Sequence, residues 1–252
     1  MRRTPLYWLL MLSSLALPAA LGITAQACDA PDELSEEDLN AQGFAPLIDG
    51  NSLAQWQVEP WHERHWVVRN GVVDYDGKGE HKRFQKNSLW TKEEFADLQL
   101  YAEWRLPAKP MLKPHPIVLY NGDFLVDERG KRVTRLRRDA GDSGILLRGT
   151  LKCQANIWSQ ELGSGEVNGY RTDPNIPQKV RRACIPVKQA DRPLGQWNFF
   201  LITVCDNRLQ VQLNGEPVVD VSLPDLPATG PIGLQHHGDL VQFRKLYVKR
   251  LD

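Results

Sequence analysis

The stretch DLQLYAEWRL, residues 97–106, alternates without interruption. Leu98, Leu100, Ala102, Trp104 and Leu106 share one parity, and Gln99, Tyr101, Glu103 and Arg105 share the other. Successive side chains on an extended chain point to opposite faces, so the stretch has one apolar face and one polar face. RLQVQLNG repeats the pattern with Leu209, Val211 and Leu213 inward. Asn70-Gly71 and Asn214-Gly215 lie between such runs, and both dipeptides are hairpin-turn signals. No stretch after residue 45 carries a convincing helical period. Strands with one apolar face must bury it against another sheet, which predicts an all-β chain folded as a jelly-roll β-sandwich.

The ends of the chain bound this domain. MRR, the apolar run PLYWLLMLSSLALPAALGI and AQA at residues 25–27 describe a secretory signal peptide over residues 1–27. Cys28 follows directly and offers a point of lipid attachment, although Ala25 stands where a lipoprotein signal carries a bulky aliphatic residue. The acidic stretch DAPDELSEEDLNAQ makes residues 28–42 a spacer, and residues 43–252 the folded domain. No other segment is apolar enough to span a bilayer, so the mature chain is expected to be exported, periplasmic or extracellular. The 31 basic and 31 acidic side chains cancel, so the charge carries no footprint for nucleic acid. Four cysteines in an exported chain permit disulfides. Cys153 and Cys184 bracket a long irregular segment and are expected to be bridged, closing a loop of about 30 residues for roughly 3 to 4 kcal/mol. Cys205, in an apolar strand, is expected to be a buried thiol.

Two segments are too long to be simple connections. Residues 107–140 read as an insertion with its own hairpin, HPIVLYNGDFLVDERG, and residues 160–196 as a Gly/Pro-rich loop of a length that is usually functional or disordered. Parity also sorts the paired histidines in PIGLQHHG. Ile232 and Leu234 face the core, Gln235 and His237 project from the polar face, and His236 has the core parity near a rim. The following strand changes phase between Phe243 and Leu246, which predicts a β-bulge, a feature common near active sites. In KCQANIWSQ, Ala155 and Ile157 point inward, leaving Gln154, Asn156 and Trp158 on the polar face. A tryptophan among amides suits a sugar ring, which has an apolar face to cover and hydroxyls to bind.

Six stretches then occur in a telling order: GFAPLIDGNSLAQWQV, WVVRNGVV, SLWTKEEFADLQLYAEWRL, GDSGILLRG, GQWNFFLITVCDNRLQVQLNGEPVVDV and GPIGLQHHGDLVQFRKLYVKRL. Together they resemble the 3-keto-disaccharide hydrolase domain family, associated with 3-keto-glucoside lyase and hydratase steps, over roughly residues 43–251. The resemblance implies a concanavalin A-like β-sandwich. The family's G-N-S-G-I-F-L-R falls on Gly141 to Arg148, with Asp142 in place of the usual Asn. Its L-Q-D-H-G falls on Leu234 to Gly238, which makes His237 the family's histidine. Its E-x-Q-I-x-D strand falls on Gln154 to Ser159, where both carboxylates are absent. The sequence is closer to a subgroup with Q-V-N-I-W followed by G-S-G-E-V-x-G-Y-R, matched by Gln154 to Trp158 and Gly163 to Arg171.

The implied chemistry needs three kinds of group. A base near neutral pKa, His237, takes the C2 proton beside a C3 ketone. Arg148, amide donors or a bound divalent cation stabilise the enolate. Glu166 or Glu103 supplies a proton to the leaving oxygen, although Glu103 and Arg105 also fit a surface pair. Gln154, Asn156, Trp158, Gln235, His236 and Arg171 complete the substrate-binding set, for a glycoside or oligosaccharide. This reading requires no cofactor and leaves the metal and the oligomeric state open. DYDGKGE (74–80) resembles a calcium loop but lacks its final Glu and reads as a loop closure, and the histidine pair of WHERH (61–65) does not predict convergence. A non-catalytic carbohydrate-binding module is the rival reading, using the Trp158 face without His237. A conventional glycosidase with paired carboxylates is the third, and its strand pattern is absent.

Overall fold

The computed structural model describes residues 33–79 and 84–251. The signal peptide read at 1–27 and the lipid-attachment point at Cys28 lie outside the described residues. No helix among the described residues is long and apolar enough to cross a membrane.

In chain order the elements are α1 (Glu36–Ala41), β1 (Ala45–Pro46), β2 (Trp56–Gln57), α2 (His62–His65), β3 (Trp66–Arg69), β4 (Val72–Asp76), α3 (Phe84–Asn87), β5 (Leu89–Phe95), β6 (Leu98–Arg105) and β7 (Met111–Pro116). They continue with β8 (Thr134–Asp139), β9 (Asp142–Leu147), β10 (Thr150–Trp158), α4 (Asn168–Arg171), α5 (Gln178–Ala183), β11 (Asn198–Cys205), β12 (Arg208–Leu213), β13 (Glu216–Ser222), β14 (Gly230–Leu234) and β15 (Leu240–Arg250). An eight-stranded antiparallel sheet has the order β13-β12-β11-β6-β15-β4-β3, with β1 also on β15. A five-stranded sheet, β10-β9-β14-β5-β2, packs against it. The non-consecutive neighbours place strands distant in sequence side by side, as the sandwich reading required.

The inward parities meet between the sheets. Leu98, Leu100, Ala102 and Trp104 of β6 join Ile145 and Leu147 of β9, Ala155 and Ile157 of β10, and Ile232 and Leu234 of β14 in one buried core. Both Asn-Gly hairpins form, β3–β4 and β12–β13, with both turn residues at positive φ (51° and 73°; 52° and 81°), the conformation a two-residue type I′ turn needs. The bulge in β15 also forms. Its register shifts between Arg244 and Tyr247, but it lies in the larger sheet, where Lys245 reaches Glu103 Oε1 at 2.8 Å. It therefore organises the outer face of that sheet rather than the histidine site.

Three features differ from the sequence reading. The acidic stretch read as a spacer forms, in its described part, a helix with a capping box between Ser35 and Asp38. This helix buries Leu39 with Phe44, Tyr101, Phe199 and Tyr247 on the outer face of the larger sheet, so that face is partly covered. Cys153 and Cys184, expected to be bridged, are two buried thiols, and burial pushes both up to about 12. The loop they bracket is closed without a covalent link: Val167 donates its N–H to the Cys184 carbonyl at 3.0 Å, and Arg181 Nε donates to the Arg171 carbonyl at 2.8 Å. Cys205, expected to be buried, is exposed, because it ends β11 at the turn into β12 with the outward parity.

The 107–140 insertion is the connection from β6 in one sheet to β9 in the other, and its β7–β8 ribbon carries the predicted hairpin outward. The 160–196 loop folds back along β10 through α4 and α5. Asn156 N–H donates to the Glu166 carbonyl at 3.0 Å and Gly165 N–H to the Asn156 carbonyl at 2.7 Å. Insertion and loop together wall the outer face of the smaller sheet.

Candidate functional site

That outer face holds a cavity of about 330 Å³, bordered by Asp142, Gln154, Asn156, Trp158, Gln235 and His237 from the sheet and by Phe124, Arg132, Asn168 and Thr172 from the two long segments. Five of these were nominated by strand parity alone. Gln154 Nε2 donates to Gln235 Oε1 at 2.9 Å, to Asn156 Oδ1 at 3.0 Å and to the Ser143 carbonyl at 3.2 Å, tying three amides into one floor. Gly144 makes this possible, since a Cβ there would fall 2.2 Å from Gln154 Nε2. Gln235 N–H bonds the Gly144 carbonyl at 2.9 Å beyond the end of β14, which carries the alternation on to His237.

His237 lies between two carboxylates. Its Nε2 is 3.8 Å from Asp142 Oδ2 and its Nδ1 is 3.9 Å from Asp239 Oδ2, while Phe84 stacks on its ring at 5.2 Å. Asp239 is held by the Asp142 backbone N–H at 3.0 Å. Gly141 allows this approach, because a Cβ there would stand 2.7 Å from the Asp239 Cβ. Burial alone would lower the His237 pKa, but the neighbouring carboxylates of Asp239 and Asp142 outweigh it, and the net shift is upward. Burial raises Asp142 to about 7 against the pull of His237, helped by the neighbouring charges of Asp239, Glu166 and Asp139. Lys113 from β7 meets Asp139 at 2.9 Å and Asp239 at 3.9 Å, and His115 lies tilted against Trp158 with ring centres 5.0 Å apart. Among the described residues no three His, Cys, Asp or Glu side chains are grouped to hold a metal ion.

The other nominated residues lie elsewhere. His236 is fully buried and turned inward, with Tyr75 Oη hydrogen-bonded to its Nδ1 and Trp61 edge-on at 5.6 Å, so it supports the loop from behind. Arg148 is a latch at the far end of the sheet: its guanidinium donates to the carbonyls of Ala96, Asp206 and Pro227 and to Asp97, and it is buried there, away from the cavity. Glu103 is on the outer face of the larger sheet, buried with Arg244 and Lys245. Glu166 and Arg171 form an ion pair with both side chains at 0 % exposure behind Asn156, with Gln160 Nε2 on the free Glu166 oxygen at 2.6 Å. Arg171 also donates to the Gly122 carbonyl at 2.9 Å and lies 4.5 Å from the Phe124 ring, so it positions the insertion rather than touching the cavity.

Sequence reasoning missed Asp142, Asp239, Lys113 and Asp139 as working groups. The departure from Asn at position 142 was the one visible signal, and it marked the residue now found beside His237. The two weak metal motifs are local structure: Asp76 of DYDGKGE accepts from the Lys78 N–H at 2.9 Å and pairs with His65 at 3.1 Å.

A model of the 3-keto-alpha-glucoside-1,2-lyase-like domain matches residues 43–249 of this chain. The chain belongs to that family. No curated protein matches the sequence. Among solved structures, one from Parabacteroides distasonis ATCC 8503, provisionally described as a glycosyl hydrolase, is similar with a TM-score of 0.54 at 17% identity, over 87% of this chain and 99% of that one. A second from the same organism, described in the same terms, gives 0.50 at 20% identity over 82% and 99%. At these identities the likeness concerns the fold, which is the concanavalin A-like β-sandwich.

The carboxyl of Asp142 should be recorded in the stability of this 3-keto-alpha-glucoside-1,2-lyase-like domain. A carboxyl with a native pKa near 7 binds its proton more tightly folded than unfolded, where the value is 3.8. Its contribution is therefore fully present below 3.8 and is lost as pH rises toward 7. His237, also raised, adds a loss in the same direction at higher pH. We expect Asp142→Asn to flatten the fall in melting temperature between pH 5 and pH 7.5. An unchanged slope would place Asp142's proton elsewhere.

Proposed function

We propose that this chain is a carbohydrate-active enzyme that cleaves 3-keto glycosides by elimination and hydration, with the ketosugar ring seated in the His237 cavity. Its family and the glycosyl hydrolases it is similar to in fold support a carbohydrate substrate. The observation that carries the finer reading is the pairing of His237 with Asp142 at the edge of an amide-lined floor. A C3 ketone acidifies the C2 hydrogen. Neutral His237 takes that proton, and the C2–H electron pair forms the C2=C3 enolate. Asn156, whose oxygen is already bonded by Gln154, supplies its NH2 group to the enolate oxygen. The enolate then restores the C3 carbonyl, the C1=C2 bond forms, and the C1–O bond breaks as the leaving oxygen takes the Asp142 proton. Water adds across C1=C2, its hydroxyl to C1 and a proton to C2, so no redox cofactor is consumed.

The reactive state has a neutral imidazole beside a protonated carboxyl, one of the two ways the pair can hold a single proton. The pair therefore titrates as a unit, and the rate should be bell-shaped around neutral pH. Trp158 and the amides would equally serve a binding module, but such a module has no use for a partly buried acid raised toward neutrality beside a histidine. The test is a product assay on the purified protein with 3-keto glycosides and their unoxidised parents. Turnover confined to the 3-keto forms, with release of aglycone and 3-keto-glucose, is expected. Equal turnover of the parents would indicate glycosidase chemistry, and sugar binding without turnover would indicate a module. Export through residues 1–27 belongs to the same proposal, since it would bring the enzyme to glycosides outside the cytoplasm.

A further inference from the structure

A second cavity, about 670 Å³, opens on the other side of Trp158, which borders both spaces. Its walls come from the end of β6, the β7–β8 ribbon and the loop before β11, and its apolar lining is Trp104, Leu106, Leu112, Leu136, Pro193 and Leu194. We infer that this cleft seats the leaving group, and that it takes a flat aromatic aglycone bearing an acceptor oxygen. The inference rests on the sugar ring occupying the His237 cavity.

Three observations point the same way. Trp158 is register-paired with Asp142 across β9 and β10. A glycosidic bond laid over Trp158 therefore has the proton donor beside it, the ketosugar on the His237 side and the departing group on the other. The cleft's apolar side chains suit carbon rather than hydroxyls. Leucine and proline offer no hydrogen bonds to a second sugar, while an aromatic ring would bury Leu112 and Leu136, which stand 67% and 66% exposed among the described residues. Finally, Trp104 is 3% exposed, and its Nε1 finds no acceptor among the described residues. A buried donor left without a partner is costly, and an acceptor on a ligand pressed against this wall would satisfy it. Polar side chains also line the cleft, among them Gln160, Gln189, Gln196, Arg137, Arg138, Arg192 and Asp191, but apolar atoms give the larger share of its surface.

The experiment uses 4-nitrophenyl and methyl glucosides, in oxidised 3-keto form for kinetics and unoxidised form for calorimetry, on the whole protein. With wild type, the nitrophenyl compound should show KM and Kd at least about ten-fold below the methyl one. Leu194→Glu, a change at an exposed loop position, should remove most of that advantage. Trp104→Phe, which keeps the ring but loses the N–H, should remove roughly three- to ten-fold of it. Comparing each variant on both compounds cancels the better leaving ability of nitrophenol. Equal affinity for the two compounds, an equal loss on both in Leu194→Glu, or tighter binding of a 3-keto disaccharide than of the nitrophenyl compound would each overturn the inference. If no 3-keto glycoside is turned over, the proposed reaction fails. Calorimetry then still decides the cleft: nitrophenyl-dependent binding that Leu194→Glu abolishes supports it, and its absence in wild type refutes it.

Discussion

Replacing His237 with alanine should lower kcat on a 3-keto glucoside by roughly 10²- to 10⁴-fold, the range removed with a general base. The fold should survive, because the side chain lines a cavity on the outer face, 35% exposed, rather than packing between the sheets. His236→Ala makes the opposite experiment. It empties an aromatic cage of Trp61 and Tyr75 and takes away one of the two partners of Tyr75 Oη, so it should lower the melting temperature and disturb catalysis only through the position of His237. The two histidines thus exchange effects: rate without stability for His237, stability before rate for His236. The measurements are kcat and thermal unfolding for both variants. A stable His237→Ala protein at full activity would remove the base from the mechanism. The pH profile adds a readout that a merely structural role would not move. In wild type the rate should fall on both the acid and the alkaline side, and Asp142→Asn should abolish the alkaline limb, because an amide has no proton to lose.

The largest effect on stability is expected at the Glu166–Arg171 pair. Both side chains are completely enclosed, so removing one charge leaves the other without compensation, at a cost of about 3–5 kcal/mol. In a domain of this size that corresponds to a melting temperature lower by roughly 6–20 °C. Glu166→Gln should show this loss, while Glu166→Met combined with Arg171→Met should recover much of it, since an apolar pair of similar volume carries no buried charge. The double variant still loses the Arg171 bond to the Gly122 carbonyl and its contact with Phe124, so KM should rise because Phe124 borders the cavity. A Glu166→Gln protein of normal stability whose kcat has collapsed would return Glu166 to the role of proton donor.

The sequence by itself determined the faces. Alternation along a strand is a property of backbone geometry, so it could be read residue by residue: the inward rows of β6, β9, β10 and β14, the opposed directions of His236 and His237, and the shared face of Gln154, Asn156, Trp158 and Gln235. The two Asn-Gly turns were legible for the same reason, because positive φ at successive residues is a local demand. Only the tertiary structure decided which polar groups work and which merely hold the molecule together. Glu103, Glu166, Arg148 and Arg171 are chemically able to act, but the β15 bulge, the 160–196 loop and the turns after β5 and β11 place partners around them and hold each one away from the cavity. Asp142 becomes a poised acid because His237, Asp239 and the β7–β8 ribbon converge on it from distant parts of the chain and leave it only partly exposed, and desolvation depends on everything that surrounds a group. The cysteines follow the same logic. Their spacing permitted a bridge, yet the loop between them is closed by backbone hydrogen bonds and the buried ion pair, and the thiols remain thiols.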